Sequence, residues 1–340
     1  MAGANPAPLR EAARVTATAV RTEWLGWWAG TSAGRRILPL AFAAAYVGIN
    51  GLLGGLGAGH VELAASFLGL WYLGPRVRPV FRFLLPMFIV AAVYDGQRYW
   101  ALSLRGPVHV SEPYHWDLAW FGIRTPGGLQ TPAEWCQAHA VPALDLVTGL
   151  AYLLFVPIFL GCAGWWEFRD RNPRARQAMW AMLALNLLAY ATYLIYPAAP
   201  PWYAAHYGLG PAMIGAMPEP GGGLRFDHLL GVHSFANTYG HNANVFGAIP
   251  SLHVGQTFLA VLFAWQFRSL RLLTTFFWLL IFFSSVYLNH HYVFDGLIGM
   301  AFAAGVFGVT RATTGAAPKR SLSREPPDPR RAQPTSPGLG

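Results

Sequence analysis

The chain has 340 residues, of which 54% are hydrophobic and only 11% are charged, whereas soluble domains carry about 25% charged residues. Aromatic residues make up 15% of the chain, as is typical of proteins whose rings anchor at membrane interfaces. This composition excludes an ordinary soluble protein and indicates a polytopic membrane protein. The net charge of +9 comes mostly from arginines in short loops and a tail, a pattern that favours the positive-inside rule over nucleic-acid binding.

The two ends of the chain differ from the rest in composition. Residues 1–35 lack the sustained apolar core and the cleavage site of a signal peptide. Arginines are mixed there with valines, leucines and tryptophans, which fits an amphipathic helix in the interface and fits a disordered cytoplasmic arm equally well. Residues 313–340 are rich in Pro, Ser and Arg and predict a disordered cytoplasmic tail.

Eight apolar segments between these ends predict an all-α membrane domain over residues 36–312. Most of them approach the roughly 20 residues that a helix needs to cross the hydrocarbon, and the second is the shortest. We therefore expect a polytopic bundle of about eight transmembrane helices. In chain order the segments are roughly 37–58, 61–75, 80–101, 143–166, 178–197, 250–267, 271–289 and 293–311.

Arginine placement predicts how these segments cross the cytoplasmic membrane. Arginine clusters precede the first segment, separate the second from the third, the fourth from the fifth and the sixth from the seventh, and follow the eighth. With both termini in the cytoplasm, every cluster lies on the inner side. The two long loops, roughly 102–142 and 198–249, then face outward. We expect the first of them, which is rich in aromatic and turn-forming residues, to form a lid on the membrane surface.

Two polar motifs stand at the outward ends of apolar segments. Residues 250–253, Pro-Ser-Leu-His, open the sixth segment, and residues 290–295, His-His-Tyr-Val-Phe-Asp, open the eighth. Ionisable groups are costly in lipid, so they are functional candidates. Asp295 follows His291 by one helical turn and can hold its imidazole in one tautomer. His253, on a neighbouring helix, can supply the proton that a leaving group needs.

These motifs resemble the type 2 phosphatidic acid phosphatase superfamily, and within it the branch of inositol phosphorylceramide synthase and the sphingomyelin synthases. Leu252 stands where the signature Pro-Ser-Gly-His has Gly, as is typical of the branch, and His-His-Tyr-x-x-Asp is also characteristic of its inositol phosphorylceramide synthases. In the signature Ser-Arg-x5-His-x3-Asp, Ser284, His291 and Asp295 fit, while Ser285 stands where Arg is expected. The signature Lys-x6-Arg-Pro is absent, because the one lysine lies in the tail.

The resemblance covers roughly residues 140–311 and implies a core of six helices with the active site at one membrane face. It implies that His291 attacks phosphorus and forms a phosphohistidine, that Asp295 orients His291, and that His253 protonates the leaving oxygen and then deprotonates the acceptor. It implies no metal and no other cofactor. The substrate would be a membrane lipid carrying a phosphate or phospho-headgroup, and the acceptor would be water or the hydroxyl of a lipid or polyol.

Without the usual Lys and Arg, the phosphate needs other hydrogen-bond donors. Ser251 and the amides that begin the sixth helix are candidates, because a helix N-terminus attracts anions. Arg98, at the outer end of the third segment, is another, although it fits equally well as an interfacial residue paired with Asp95. His290 is a third candidate, for phosphate or for a lipid headgroup.

Other functions are compatible with the same residues. A lipid phosphate phosphatase, acting on phosphatidate or a prenyl phosphate, would use the same site with water as the acceptor. A proton-coupled transporter would also carry His and Asp in its spans, but near the midplane rather than at their ends. An irregularly spaced cluster in the second loop could bind zinc, although a solvated loop explains it better. Its members are Asp227, His228, His233 and His241.

Overall fold

Helices make up nearly all of the regular structure in residues 7–315, the part of the chain that the computed structural model describes. The predicted all-α fold class is therefore confirmed. The N-terminal part comprises α1 (Ala7–Gly30), α2 (Ala33–Leu52), α3 (Ala58–Tyr72) and α4 (Arg78–Leu104). The first of the two long loops, which we call the outer loops after their predicted side, contains α5 (Ser111–Phe121), the hairpin strands β1 (Ile123–Thr125) and β2 (Gly128–Gln130), and α6 (Pro132–Ala138).

The second half of the chain forms the helices that surround the two polar motifs. First come α7 (Pro142–Leu153) and α8 (Phe155–Gly164), a π-helical turn at Trp165–Arg169, and α9 (Ala175–Ile195). The second outer loop contains α10 (Pro201–Tyr207), α11 (Gly223–Leu230) and α12 (Ser234–Tyr239). The chain then continues through α13 (Leu252–Phe267), α14 (Arg271–Tyr287) and α15 (Val293–Gly315).

Each predicted apolar segment corresponds to a helix or to a helix pair. Three stretches of the described residues are long and apolar enough to cross a membrane, namely Arg78–Ala101, Ala175–Ile195 and Val293–Thr313. Helices α7 and α8, with the turn after α8, make a fourth if counted as one span bent by 51°. Helices α13 and α14 are apolar but shorter, at 16 and 17 residues. The chain is a multi-pass membrane protein, and the number of eight spans stays a prediction.

The N-terminal arm forms helix α1 and packs onto the bundle. A helix was one of the two structures that its composition fits, and its position in the membrane interface stays a prediction. The indole N–H of Trp24 donates to the carbonyl of Tyr72 at 2.8 Å, and the Arg36 guanidinium lies 4.6 Å from the centre of the Trp28 ring. These contacts hold α1 against α2 and α3. Most of the predicted disordered tail lies outside the described residues, and α15 continues to Gly315.

Two glycines allow α13 and α15 to touch backbone to backbone. A Cβ atom at Gly255 would lie 2.9 Å from the carbonyl oxygen of Gly299, and one at Gly299 would collide with the carbonyl oxygen of Ser251. Small residues allow such close approach between membrane helices. The N–H of Ser251 also donates to the main-chain carbonyl of Asp295 at 3.0 Å. The two polar motifs are therefore joined through their backbones.

The outer segments fold over the end of the bundle where these motifs lie. Isolated parallel bridges pair His109 with Ala198 and Ala198 with Gly247, so three loop strands run side by side there. In the second loop, both carboxylate oxygens of Asp227 accept backbone N–H groups of α12, from Phe235 at 3.0 Å and Ala236 at 2.9 Å. The carboxylate thus caps a helix, a structural role for one member of the cluster considered above for zinc.

We expect Gly299→Ala to lower the melting temperature of the protein, because the added methyl group would press on the backbone of α13. Overpacking of this kind costs about 1–3 kcal/mol. Gly305→Ala is the matched control on the same helix, since a Cβ atom there meets nothing within 4 Å. Thermal unfolding in detergent measures both variants, and equal shifts in melting temperature would contradict the role of Gly299 in helix packing.

Candidate active site

A cavity of about 330 Å³ lies between α4, α9, α13 and the outer loops. His253, His290 and His291 all line it, with tyrosine, asparagine and glutamine side chains and an apolar remainder. None of the described residues that line it is a lysine or an arginine. The structure therefore brings the three predicted histidines to one neutral cavity.

The two histidines predicted to be catalytic contact each other in the wall of this cavity. His253 lies in the first turn of α13, and His291 lies in the short connection between α14 and α15. The Nδ1 atom of His253 is 3.2 Å from the Nε2 atom of His291. The Nδ1 atom of His291 lies 3.4 Å from Asp295 Oδ2, which is ion-pair distance but longer than a well-formed hydrogen bond. Apo sites often show such long separations, which tighten when substrate binds.

One assignment of protons satisfies all of these contacts together. Tyr239 lies 3.3 Å from His253 Nε2 and can donate its hydroxyl proton to that nitrogen. His253 then carries its proton on Nδ1 and points it at His291 Nε2. His291 in turn carries its proton on Nδ1, towards Asp295. In this order the lone pair of His291 Nε2 accepts the proton of His253 Nδ1, so a nucleophilic nitrogen and a proton donor lie side by side, and a substrate that enters between them would replace their hydrogen bond.

Asp295 also fixes the start of α15. Its side chain is fully buried, and its Oδ2 accepts the N–H of Tyr292 at 2.9 Å, as an acidic residue in a first helical turn commonly does. Asp117 of α5 supports the same turn from the lid, where its Oδ1 accepts the N–H of Phe294 at 3.1 Å. Burial raises the pKa of the Asp117 carboxyl to about 7. The loop that contains α5 is thereby tied to the helix that carries Asp295.

The histidines in the connection before α15 are held in their neutral form. Burial lowers the pKa of His291 to about 4 and that of His290 to about 3, since little water reaches either ring. His290 Nε2 donates to the carbonyl of Pro220 at 2.9 Å. The remaining nitrogen of a neutral His290 is then an acceptor, so it donates to phosphate only if the ring becomes protonated.

The other predicted phosphate donors lie away from the cavity lining. Ser251 is fully buried, and its hydroxyl accepts the N–H of Val254 at the start of α13, so it serves as the helix N-cap. Arg98 forms an ion pair with Asp95, which also accepts from His60 at 2.7 Å. The interfacial alternative for Arg98 therefore describes its position better. The structure brings neither residue into the wall around His253 and His291.

Several neutral side chains at the cavity were not singled out from the sequence. Tyr152 stacks on His253 with ring centres 4.1 Å apart, and Tyr239 contacts the same imidazole. Gln97 and Asn244 bond to each other in the wall, at 3.3 Å. Polar residues inside predicted spans, such as Gln97, were the available signal. The loop residues showed no such signal in the sequence, because only folding brings them to the cavity.

Comparison with known proteins assigns the family. The family model described as the PAP2 superfamily matches residues 121–309, more than half of the chain. This chain belongs to the PAP2 superfamily. The match begins at the end of α5, earlier in the chain than the predicted start of the resemblance. No solved structure gave a significant match to the chain.

Two of its relatives act in sphingolipid synthesis according to their names. The phosphoinositol dihydroceramide synthase of Bacteroides thetaiotaomicron is 34% identical over 255 residues, which cover 73% of this chain and 82% of the relative. The inositol phosphorylceramide synthase catalytic subunit AUR1 of Saccharomyces cerevisiae is 30% identical over 251 residues, 73% of this chain and 60% of the relative. The predicted superfamily and branch are confirmed, and with them the prediction of a membrane enzyme of lipid metabolism.

The neutral state of His291 predicts how activity depends on pH. A nucleophilic imidazole must be unprotonated, and burial lowers the pKa of His291 from 6.5 to about 4. We therefore expect kcat/KM, which reports groups of the free enzyme, to show no loss as pH falls through 6.5 and to drop only towards pH 4. Initial rates after a return to neutral pH control for unfolding. An acid limb centred near 6.5 would contradict a buried, neutral nucleophile.

Proposed function

We propose that this protein transfers the phosphoinositol headgroup of one membrane lipid to the hydroxyl group of a ceramide-type lipid. The names of two similar proteins support it, because the bacterial one is a phosphoinositol dihydroceramide synthase and the yeast one an inositol phosphorylceramide synthase subunit. The observation that carries the proposal at the site is the 3.2 Å approach of His253 Nδ1 to His291 Nε2 within the cavity. This pair provides a nucleophile and a proton donor at one point.

The proposed reaction has two steps that use the same two histidines. In the first, His291 Nε2 attacks phosphorus, an N–P bond forms, and the P–O bond to the donor lipid breaks. His253, protonated on both nitrogens once the anionic headgroup is bound, gives its Nδ1 proton to the departing oxygen and becomes neutral. In the second, His253 takes the proton of the acceptor hydroxyl, whose oxygen attacks phosphorus and displaces His291. Asp295 stabilises the positive charge that His291 carries while phosphorylated.

The neutral lining of the cavity favours a phosphodiester over a phosphate monoester. A phosphate monoester carries close to two negative charges at neutral pH, as a phosphorylated side chain does, whereas a diester carries one. No lysine or arginine of the described residues lines the cavity to balance a second charge. Burying an unpaired charge is costly, so a site without cations is better matched to the singly charged headgroup linkage.

The direct test is a transfer assay on purified protein in chelator. Wild-type protein should move a labelled phosphoinositol group from phosphatidylinositol to ceramide, and His291→Ala should abolish both product and phosphoenzyme. His290→Ala is the matched control, because the neighbouring ring donates to a carbonyl and should leave measurable phosphoenzyme. Phosphate release from monoesters, without headgroup transfer, would instead support the lipid phosphate phosphatase alternative.

The orientation of the site is the second part of the proposal, which places it on the outer side of the cytoplasmic membrane with both chain termini inside. An open pocket lies at the far end of α13 from His253, lined by the turns at residues 170–173 and 267–269. Its arginines, Arg171 and Arg268, fit the cytoplasmic side of the membrane.

Cysteine labelling on intact cells tests this orientation. Both native cysteines are buried and are removed from the background. Single cysteines then replace two exposed arginines, Arg124 in the lid hairpin and Arg174 at the start of α9. An impermeant thiol reagent should label position 124 without lysis and position 174 only after lysis. The reverse pattern would place the active site in the cytoplasm.

A further inference from the structure

Three polar side chains form a cluster in the cavity wall below the catalytic histidines. Asn186 and Tyr190 project from α9, and Gln256 projects from α13. All three line the cavity, yet their exposed fractions are only 1%, 4% and 4%. The neighbouring wall is apolar and includes Met182 and Leu252. The cluster therefore places amide and hydroxyl groups in an apolar part of the cavity, within membrane helices.

Hydrogen bonds within the cluster fix which way each amide faces. The Nδ2 of Asn186 donates to the carbonyl of Met182 at 2.8 Å, so its Oδ1 is an acceptor. That Oδ1 accepts the hydroxyl of Tyr190 at 3.0 Å and the Nε2 of Gln256 at 3.0 Å. Gln256 must therefore turn its nitrogen towards Asn186 and its oxygen away from it.

This orientation leaves one strong acceptor free in the cavity wall. The Oε1 atom of Gln256 is buried and has no hydrogen-bond partner among the described residues. A buried amide oxygen without a partner is unfavourable, and in native structures it is usually paired. A reversed amide would set Gln256 Oε1 against Asn186 Oδ1, two acceptors without a proton between them. The free oxygen is therefore suited to a donor on a ligand that enters the cavity.

The position of this oxygen indicates which part of a ligand it would meet. Gln256 follows His253 by three residues on α13, about 4.5 Å further along the helix axis and deeper in the bundle. A ceramide carries a secondary amide on the carbon next to the one that bears its reactive hydroxyl. With that hydroxyl at His253, the amide N–H lies a few ångströms deeper, at the level of Gln256.

We propose that Gln256 Oε1 accepts the amide N–H of the acceptor lipid and thereby selects amide-bearing acceptors over ester lipids. This inference rests on the proposed transfer reaction and names the residue that recognises its acceptor lipid. Diacylglycerol offers a similar primary hydroxyl but an ester oxygen in place of the N–H. It would leave Gln256 Oε1 unpaired, and such a missing bond is a strong means of discrimination.

The test compares Gln256→Met with wild type on two acceptors, ceramide and diacylglycerol. Methionine keeps the length of the side chain and removes the amide. We expect kcat/KM for ceramide to fall about tenfold to a hundredfold, mainly through KM, with the rate on diacylglycerol and the yield of phosphoenzyme unchanged. Gln266→Met is the matched control, since it makes the same change on α13 outside the cavity lining.

Equal losses on both acceptors, or no loss on ceramide, would overturn the assignment. A separate binding measurement distinguishes failure of the Gln256 assignment from failure of the proposed transfer reaction. Photoreactive ceramide should crosslink to His291→Ala protein, and adding Gln256→Met should reduce the crosslink several-fold. If wild-type protein transferred no headgroup but still bound ceramide through Gln256, the proposed reaction would fail and the binding site would stand. Crosslinking independent of Gln256 would overturn the binding site whether or not transfer occurs.

Discussion

Direct contact between the backbones of Gly255 and Gly299 holds α13 against α15, and the relative position of His253 and His291 depends on that contact. His253 belongs to the first of these helices, and His291 immediately precedes the second. The backbone bond from Ser251 to Asp295 joins the two helix starts at the same level. Because helices in lipid gain no hydrophobic free energy by associating, close packing and such polar contacts set their separation.

The candidate site consists of polar groups that contact one another in a fixed order. Tyr239, His253, His291 and Asp295 form one line of contacts, and one choice of tautomers along it gives His253 a proton to donate and His291 a lone pair to attack with. Burial keeps His291 unprotonated, so the proposed nucleophile needs no separate base. The same burial would penalise a doubly charged substrate, which is why a cavity without lysine or arginine suits a headgroup diester. The exclusion of water would then explain both the neutral state of His291 and the proposed preference for a singly charged substrate.

The lid shapes this environment from outside the bundle. Asp117 of α5 accepts a backbone N–H at the start of α15, and the N–H of Trp202 donates to the carbonyl of Asn289 at 3.0 Å. The second outer loop thus bonds to the connection that carries His290 and His291, and the first bonds to the helical turn that follows it. A loop held by its own backbone groups can exclude water from a cavity without occupying it.

The sequence by itself determines the fold class, the superfamily and the three residues predicted to be catalytic. Apolar length, arginine bias and the spacing of His291 and Asp295 are local properties, so they can be read without a structure. The phosphate donors are different, because Ser251 and Arg98 stand beside the right motifs in sequence but cap a helix and pair with Asp95 in space.

Only the tertiary structure decides which polar groups share the cavity. Tyr239 meets His253 because the second outer loop folds back over α13, and Gln256 meets Asn186 because α9 packs beside that helix. A glutamine in an apolar segment marks a polar site in the sequence, but its partner lies 70 residues away. Which of its atoms stays unpaired depends on the bonds that the partner already makes. That is a property of packing between helices, and the local pattern of either helix does not contain it.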